Sequence, residues 1–321
     1  MSRQTPPRHR PAAQPPTDYD VIIVGAGSAG LSAALLLGRC LRRVLVCGSG
    51  APRNVTSPAV HAFFSRDGVK PADLLELGQE QLTPYTTVQV RTARVTAIRP
   101  TAAGFAVVAA GETGRSFTAT TRKVLLATGV EDELPPLPGM RELWGRGVLH
   151  CPYCHGWEVR DTPLAVYGRG RQATGLALLI SRWSKDVVVC TDGPGSLTVN
   201  ARRRLRQQKI RVYEEPVSHL EAGRDGQLRH IVFRNGEKLA RHAVFLQPPQ
   251  HQRSALAQEL GCRLNSKGAV WVDKHAQTSQ PGVYAAGDTT PGAQKALIAA
   301  AEGMQAAIVI NETLTREECT R

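Results

Sequence analysis

The amino-acid sequence predicts an α/β fold with two Rossmann-like nucleotide-binding domains, of the three-layer ββα sandwich type, the second inserted in the first. The prediction depends on two apolar segments that each lead into a glycine-rich turn, at Gly25 and at Gly168. Each turn precedes a helical segment and a further apolar strand, which is the order of a βαβ unit. A chain of 321 residues is long enough for two such domains.

The remaining elements follow from hydrophobic periodicity. Strands are predicted at 18–25, 43–47, 87–98, 104–110, 116–127, 164–167, 186–190, 210–213, 217–222, 229–234, 243–246, 270–272 and 283–286, and helices at 31–41, 174–183 and 294–314. The three strands between 87 and 127 suit a small antiparallel sheet inserted after the first βαβ unit. Proline-rich stretches at 133–139 and 248–249 mark the two crossings between domains.

The domain boundaries follow from these elements. Residues 1–17 are rich in proline and arginine and have no apolar core, so we expect a disordered tail and no secretory signal. The first domain is expected to be discontinuous, with residues 18–131 and 248–315. The central domain, 132–247, is expected to carry the second nucleotide fold.

The composition is that of a globular protein, with 42% apolar and 21% charged residues. The net charge is +13, but the basic residues are scattered and no aromatic residues interleave with them, so we expect no nucleic-acid partner. The apolar run 21–38 contains several glycines and is followed by arginines, which favours a strand–turn–helix over a membrane span. We therefore expect a cytoplasmic protein without membrane association.

The segment Gly25-Ala-Gly27-Ser-Ala-Gly30 fits the dinucleotide fingerprint between a strand and a helix. The first glycine permits the tight turn, the second lets the pyrophosphate approach the backbone, and the third lets the helix pack closely. N–H groups at the helix start then face the phosphate. The alternative is a structural glycine-rich turn without a ligand. The candidate nucleotide-binding residues are Gly25, Gly27, Ser28, Ala29 and Gly30.

Both nucleotide folds lack a side chain that the fingerprint leads one to expect. In the first, no acidic residue follows strand 43–47 to hold the adenosine ribose, and Ser49 or a backbone group is the candidate instead. In the second, NADPH recognition needs arginines after strand 186–190, but Asp192 stands there and Arg202 is the first basic residue beyond it. Asp192 would repel a 2′-phosphate and could suit NADH, or the fold could bind nothing. NADPH is therefore doubtful.

The sharpest local feature is the dithiol motif Cys151-Pro-Tyr-Cys154-His155. Two cysteines three apart at a helix start can form a disulfide, and a helix N-terminus lowers a thiol pKa. His155 can donate or accept a proton near neutral pH. Three alternatives remain: half of a zinc site, a c-type haem attachment sequence, or a structural cysteine pair. Redox activity is favoured over all three.

Two further segments carry a resemblance to a known family. Ala127-Thr128-Gly129 and Thr278-Ser-Gln-Pro-Gly282-Val-Tyr-Ala-Ala-Gly287-Asp288, with the dithiol just ahead of the second glycine turn, resemble low-molecular-weight thioredoxin reductases over about residues 18–315. The resemblance implies that the discontinuous first domain binds FAD. The flavin-contact candidates that it supplies are Thr128, Gly129, Gly287, Asp288, Gln294 and Lys295. It also implies that Cys154 faces the flavin and Cys151 exchanges with substrate, while His155 replaces the usual acidic acid/base residue.

The chain is similar, more closely, to a divergent branch of that family. The marks are Pro52-Arg53-Asn54, Phe63-Phe-Ser-Arg66-Asp67-Gly68 and Cys151-Pro-Tyr-Cys-His-Gly-Trp-Glu158. That branch includes the dithiol oxidases of gliotoxin and holomycin biosynthesis and bacterial reductase-like proteins that do not use NADPH. It adds Arg53 and Asn54 to the cofactor candidates and implies a homodimer. For the aromatic residues Phe63, Phe64 and Trp157, core packing is favoured over a role beside the dithiol.

Several functions stay open. The first is a dithiol oxidase in which oxygen reoxidises FAD, and the second is a reductase fed by ferredoxin or by a second flavin. An NAD(P)H-dependent thioredoxin reductase is the alternative, and a flavin-free regulatory protein is the rival class. The substrate is expected to be a thioredoxin-like protein or a small dithiol. Cys319 is expected to be an inert thiol in a C-terminal tail.

Overall fold

The computed structural model describes residues 17–195 and 197–320, so the predicted tail lies, except for Thr17, outside the described residues. The described helices are α1 (Ser28–Arg39), α2 (Pro71–Glu80), α3 (Pro152–His155), α4 (Gly170–Ile180), α5 (Val199–Gln207), α6 (Leu256–Glu259) and α7 (Ala296–Cys319), with a 3-10 turn at Gly287–Thr289. The strands are β1 (Tyr19–Val24), β2 (Val44–Gly48), β3 (Val88–Thr101), β4 (Gly104–Gly111), β5 (Ser116–Leu126), β6 (Val130–Asp132), β7 (Val148–Leu149), β8 (Leu164–Tyr167), β9 (Val187–Cys190), β10 (Arg211–Tyr213), β11 (Val217–Ala222), β12 (Leu228–Phe233), β13 (Lys238–Ala240), β14 (Ala243–Phe245), β15 (Gln250–Gln252) and β16 (Val283–Ala285).

The chain divides into two compact units. Unit 1 comprises the described residues up to Ser49, Gly78–Thr128 and those from Ser254 onward, and unit 2 comprises Gly50–Leu77 and Gly129–Arg253. The chain therefore leaves unit 1 twice and returns to it twice. Residues 50–77 group with unit 2, whereas the boundaries drawn from sequence place them in the first domain.

Unit 1 is built on a six-stranded sheet in the order β1-β2-β3-β4-β5-β16, in which β5 also pairs with β1. The pairings of β1 with β2 and of β5 with β1 and β16 are parallel. The strands β3, β4 and β5 pair antiparallel. They do not form the separate small sheet that was expected, because β3 pairs first with β2, over Val88–Thr92, and then with β4, over Ala93–Thr101.

In unit 1, the first turn of α1 packs against α7. A Cβ built on Gly303 of α7 would lie 2.0 Å from the Ala29 carbonyl oxygen of α1, so the two helices meet backbone to backbone. Only glycine permits such an approach without displacing one helix. The buried face of α7 continues through Ala306, Ala307 and Ile310.

Unit 2 contains a five-stranded parallel sheet in the order β10-β9-β8-β14-β7. Apart from the edge strand β10, which begins with the exposed Arg211, its strands are continuous apolar runs, as expected where both faces of a parallel sheet are covered. An antiparallel sheet of β11, β12 and β13 and the pair β15–β6 complete the unit. The parallel sheets of both units confirm the predicted α/β fold.

The structure corrects several element predictions. The helices α2 and α5 were missed, α5 because its arginine-rich sequence has no apolar stripe, and so were the short elements α6, β6, β7, β13 and β15. The segment 270–272 is not a strand, since Val270 makes only an isolated bridge to Leu264. Cys319 does not lie in a tail; it is the exposed last residue of α7. Across the described chain, the helices are too short or too polar to cross a membrane.

Candidate functional site

The first glycine turn connects β1 to α1. Gly25 has a φ of +119°, and a Cβ built on it would lie 2.1 Å from the Ala127 carbonyl oxygen. A Cβ on Gly30 would lie 1.8 Å from the Gly25 carbonyl oxygen. Around Gly27, by contrast, no atom of the described chain lies within 4 Å of such a Cβ. Since the N–H groups of the first turn of α1 follow Gly27 directly, the residues present fit the pyrophosphate of a dinucleotide.

The ends of two neighbouring strands lie beside this turn. A Cβ on Gly48, the last residue of β2, would lie 2.5 Å from the Ala26 Cβ atom. Ser49 follows with an exposed side chain, so the structure places this predicted ribose contact next to the glycine turn. On the other side, the Ala127 N–H donates to the Val24 carbonyl at 2.8 Å, which brings the end of β5 to the same edge of the sheet.

The 3-10 turn Gly287–Thr289 completes this edge of unit 1. Thr128 Oγ1 lies 3.4 Å from Thr289 Oγ1, and a Cβ on Gly287 would lie 3.0 Å from the Ala29 Cβ atom. The φ of Gly287 is +77°, in the left-handed region that favours glycine. The structure thus brings the glycine turn, Thr128 and the Gly287–Asp288 pair together. Gly129, with a φ of +70°, is the first residue of unit 2 after this edge.

The segment after the 3-10 turn leads into α7. Lys295 is the N-cap residue of α7, its carbonyl accepts the Ala299 N–H at 2.8 Å, and burial lowers the pKa of its ammonium group. Gln294 immediately precedes it. Sequence reasoning missed Glu302, about two helical turns further on, whose Oε2 accepts the Gly287 N–H at 2.8 Å. The available signal was a single acidic residue within the otherwise uncharged stretch 296–311.

Arg53 and Asn54, the remaining cofactor candidates, lie in unit 2. Arg53 Nε and Nη2 donate to the two carboxylate oxygens of Asp132, at 2.6 and 2.7 Å, and Nη2 also lies 3.4 Å from His150 Nε2. Asn54 is half-buried, and its carbonyl accepts the Ser57 N–H. Burial would raise the pKa of Asp132, but the bonds and charge of Arg53 outweigh burial and lower it. Asp132 was missed because it has no sequence motif of its own.

The dithiol is formed as predicted, with a Cys151–Cys154 disulfide and a Cα–Cα distance of 5.2 Å. Cys151 is the N-cap of the single-turn helix α3, and its carbonyl accepts the N–H groups of Cys154 and His155 at 3.1 and 3.2 Å. Pro152 occupies the first helical position, where its missing N–H costs nothing. Both cysteines and His155 are half-buried rather than enclosed.

Three aromatic side chains of unit 2, two of them in or beside the dithiol motif, are exposed. The exposed fraction is 64% for Tyr153, 65% for Trp157 and 84% for Phe64. The expectation of core packing is therefore wrong for Phe64 and Trp157, while Phe63 is half-buried. Within unit 2, His61 Nε2 lies 3.4 Å from Glu158 Oε1 and connects the loop that carries Phe64 to the segment that carries Trp157.

The second glycine turn contains a long side chain, that of Arg169. Arg169, between Gly168 and Gly170, extends across the end of β9: its Nε donates to the Thr191 carbonyl at 2.9 Å and its Nη2 donates to the Asp192 carbonyl. A Cβ on Gly193 would lie 3.1 Å from Arg169 Nη2. The Asp192 carboxylate accepts the Tyr167 hydroxyl at 2.7 Å and the Val217 N–H at 2.8 Å. Asp192 stands at the end of β9, where the fingerprint leads one to expect the acidic ribose contact, and both of its carboxylate oxygens accept hydrogen bonds within unit 2.

Comparison with known proteins now identifies the family. The profile of the pyridine nucleotide-disulphide oxidoreductases matches residues 19–303. The chain belongs to this family. Members bind FAD, and the chain is an FAD-dependent disulfide oxidoreductase whose first glycine turn fits the cofactor. The flavin-free class is thereby excluded.

Individual relatives agree with this assignment. The thioredoxin reductase tcpT of Claviceps purpurea is 32% identical over 84% of this chain and 86% of its own length. Among solved structures, HlmI is 38% identical with a TM-score of 0.88, each chain being covered to 94%. An oxidoreductase from Agrobacterium tumefaciens is 30% identical with a TM-score of 0.85, over 93% of this chain and 99% of its own. These likenesses confirm the resemblance to a divergent, thioredoxin reductase-like branch.

Proposed function

We propose that this FAD-dependent oxidoreductase is a dithiol oxidase that does not use NADPH. A substrate dithiol gives two electrons and two protons to the Cys151–Cys154 disulfide and leaves as a disulfide. FAD, when bound, would supply the redox chemistry that carries these two electrons and two protons to oxygen as hydrogen peroxide and so restores the Cys151–Cys154 disulfide. The observation that carries the proposal is Arg169, because its guanidinium lies on the Thr191 and Asp192 carbonyls where a pyridine nucleotide would need its ribose contact.

Asp192 supports the same conclusion for NADH. A free acidic side chain at the end of β9 could bind the 2′-hydroxyl of NADH. In this chain both carboxylate oxygens of Asp192 already accept hydrogen bonds, one from Tyr167 and one from the backbone of Val217. Turning the carboxylate towards a ribose would leave the half-buried Tyr167 hydroxyl without its acceptor, which costs about 1–3 kcal/mol.

The side chains of the dithiol motif supply the exchange chemistry. We assign Cys151 to attack by the substrate thiolate and Cys154 to electron transfer with the flavin, as the resemblance implies. We assign His155, next to Cys154, to accept the proton of the attacking substrate thiol and to donate it to the Cys154 thiolate that leaves when the disulfide opens; the transfer reverses when the disulfide re-forms. FAD, when bound, accepts the electron pair from the dithiol. We further assign its phosphate to the Gly25–Gly30 turn and its ribityl chain to Asp288.

Anaerobic mixing experiments test the electron donor. The purified protein is mixed with NADPH, with NADH and with dithiothreitol, and the flavin absorbance is followed. We expect rapid bleaching by the dithiol and none by either nucleotide, then recovery in air with one hydrogen peroxide formed per dithiol oxidised. Cys151→Ser is the control, since it should retain FAD but lose bleaching by the dithiol. Rapid bleaching by NADPH would refute the proposal.

One observation favours a second candidate, a reductase fed by ferredoxin. The net charge of +13 would attract an acidic electron-transfer protein. That enzyme would be reduced rapidly by reduced ferredoxin, or by a free reduced flavin as donor, and would react slowly with oxygen. Reduced thioredoxin, added beside dithiothreitol in the same assay, separates a protein substrate from a small dithiol.

We also propose a homodimer in the cytoplasm. The helix α7 has a row of partly exposed apolar side chains at spacings of seven and four, Leu297, Met304 and Ile308, with 38%, 43% and 45% exposed. Such a row on a long helix suits a second copy of the same helix. Cysteines other than the disulfide pair are free thiols, three of them buried, which suits a reducing compartment.

A further inference from the structure

Glu302 lies behind the turn to which we assign the flavin contact. Its Oε2 accepts the Gly287 N–H at 2.8 Å and lies 3.3 Å from Thr290 Oγ1. A Cβ on Gly292 would lie 3.4 Å from Glu302 Oε1, so the segment after the turn also passes close to this carboxyl group. One side chain of α7 therefore contacts the turn Gly287–Thr289 at its start and the following loop at two points.

The next residue contacts the other half of the same site. A Cβ on Gly303 would lie 2.0 Å from the Ala29 carbonyl oxygen, and Ala29 belongs to the glycine turn that fits the pyrophosphate. Gly287, which Glu302 holds, also lies against Ala29. The neighbouring pair Glu302 and Gly303 thus touches both the phosphate turn and the flavin turn of unit 1. The distance between those turns has to match one cofactor that spans them.

The Glu302 carboxyl group also accepts hydrogen bonds, and the Thr290 hydroxyl is one of the candidate donors. The Thr290 hydroxyl has a single proton, and it can donate either to the Gly287 carbonyl at 2.9 Å or to Glu302. The Gly287 N–H has no such choice and donates to Glu302. Burial and the nearby Asp288 carboxylate raise the pKa of Glu302, partly offset by these two hydrogen bonds. Burial of the Glu302 carboxyl group is therefore unfavourable, and its hydrogen bonds to the turn at Gly287 and to Thr290 offset part of that cost.

We propose that Glu302 is a positioning residue for FAD, which fixes the Gly287–Asp288 turn at the correct distance from the phosphate-binding turn. The proposal rests on the assignment of that turn to FAD. Its consequence is that FAD affinity depends on an acceptor at position 302, although this side chain reaches the turn from behind. A negative charge as such is not required, since an amide oxygen can accept the Gly287 N–H equally well.

The test is FAD binding to apoprotein, measured by quenching of flavin fluorescence in wild type and five variants, of which one is Asp288→Ala. We expect Glu302→Ala to weaken binding about tenfold or more, because the Gly287 N–H loses its acceptor. Glu302→Gln should restore affinity to within about threefold. Thr290→Val, which removes only the hydroxyl, should weaken binding about threefold. Glu312→Ala, at an exposed acid of the same helix, is the matched control and should bind as wild type.

The bound flavin spectrum and the thermal unfolding of the apoprotein complete the test. We expect the visible band of the Glu302→Ala holoprotein to be shifted, and that of Glu302→Gln to match wild type. If Glu302→Ala does not fold, the Gln and Val variants decide. Wild-type affinity in both Glu302→Ala and Thr290→Val overturns the proposal if Asp288→Ala still weakens binding. Wild-type affinity in Asp288→Ala would instead remove the assignment of the turn to FAD.

Discussion

The ion pair between Arg53 and Asp132 permits a quantitative prediction. Its two hydrogen bonds are 2.6 and 2.7 Å long, and the side chains are only 15% and 4% exposed. Asp132→Asn keeps the shape but removes the charge, and it turns an amide N–H₂ towards one of the two guanidinium donors. Breaking a buried pair on one side costs about 3–5 kcal/mol, because the remaining charge stays buried. At roughly 2–4 °C per kcal/mol for a unit of this size, the unfolding midpoint should fall by about 10 °C.

The adjacent residue provides the control. Glu133 Oε2 lies 2.6 Å from His251 Nε2, a contact of the same length, but the Glu133 and His251 side chains are 63% and 66% exposed. Exposed pairs contribute about 0–1 kcal/mol, so Glu133→Gln should change the midpoint by less than about 3 °C. Thermal unfolding of the FAD-loaded proteins, followed by circular dichroism at pH 7, measures both. Equal midpoints for Asp132→Asn and Glu133→Gln would refute the reasoning from burial.

The pH dependence of the unfolding midpoint of Asp132→Asn tests whether the Asp132 carboxylate, in its charged form, is what stabilises the fold. The folded-state pKa of Asp132 is lowered below the ordinary value of 3.8, since Arg53 outweighs burial. Stability from such a group is fully present above the ordinary value and is lost as the pH falls through the lowered one. The midpoints of wild type and Asp132→Asn should therefore stay separated by a constant amount from pH 8 to 5 and converge below 3.8. Convergence between pH 8 and 5 would show that another group is responsible.

Three further substitutions give simple outcomes. Gly30→Ala places a Cβ against the Gly25 carbonyl and should yield a colourless protein, as judged by the flavin absorbance; a yellow protein would contradict the packing argument. Arg169→Ala removes the two bonds to Thr191 and Asp192, and should raise NADPH binding in calorimetry without restoring rapid flavin bleaching; full NADPH activity would mean that Arg169 alone excludes the nucleotide. Met304→Lys should convert the dimer to a monomer in light scattering, and an unchanged mass would locate the interface elsewhere.

The sequence predicted the parts of the fold that have strong local patterns. The strand–glycine–helix units at Gly25 and Gly168 and the dithiol turn follow from apolar runs and residues with special backbone requirements. The helix α5 was missed because arginines cover it on most sides, and the exposure of Phe64 was missed because an aromatic residue is buried by default. Asp132 and Glu302 depend on partners 79 and 15 residues away, which no local pattern reveals.

The two glycine turns show why a motif does not determine a ligand. Both follow a buried strand and precede a helix, and they differ at the residue after the first glycine, Ala26 in one and Arg169 in the other. Gly27 keeps a φ of −83° with open space beside it, while Gly170 has a φ of +61° and α4 begins at that residue itself. The small side chain of Ala26 leaves room for a phosphate at the N-terminus of α1. The long cationic side chain of Arg169 instead donates hydrogen bonds to backbone carbonyls of the same chain. The arginine is the same residue type that NADPH recognition uses, but its guanidinium is directed at the Thr191 and Asp192 carbonyls of the protein itself.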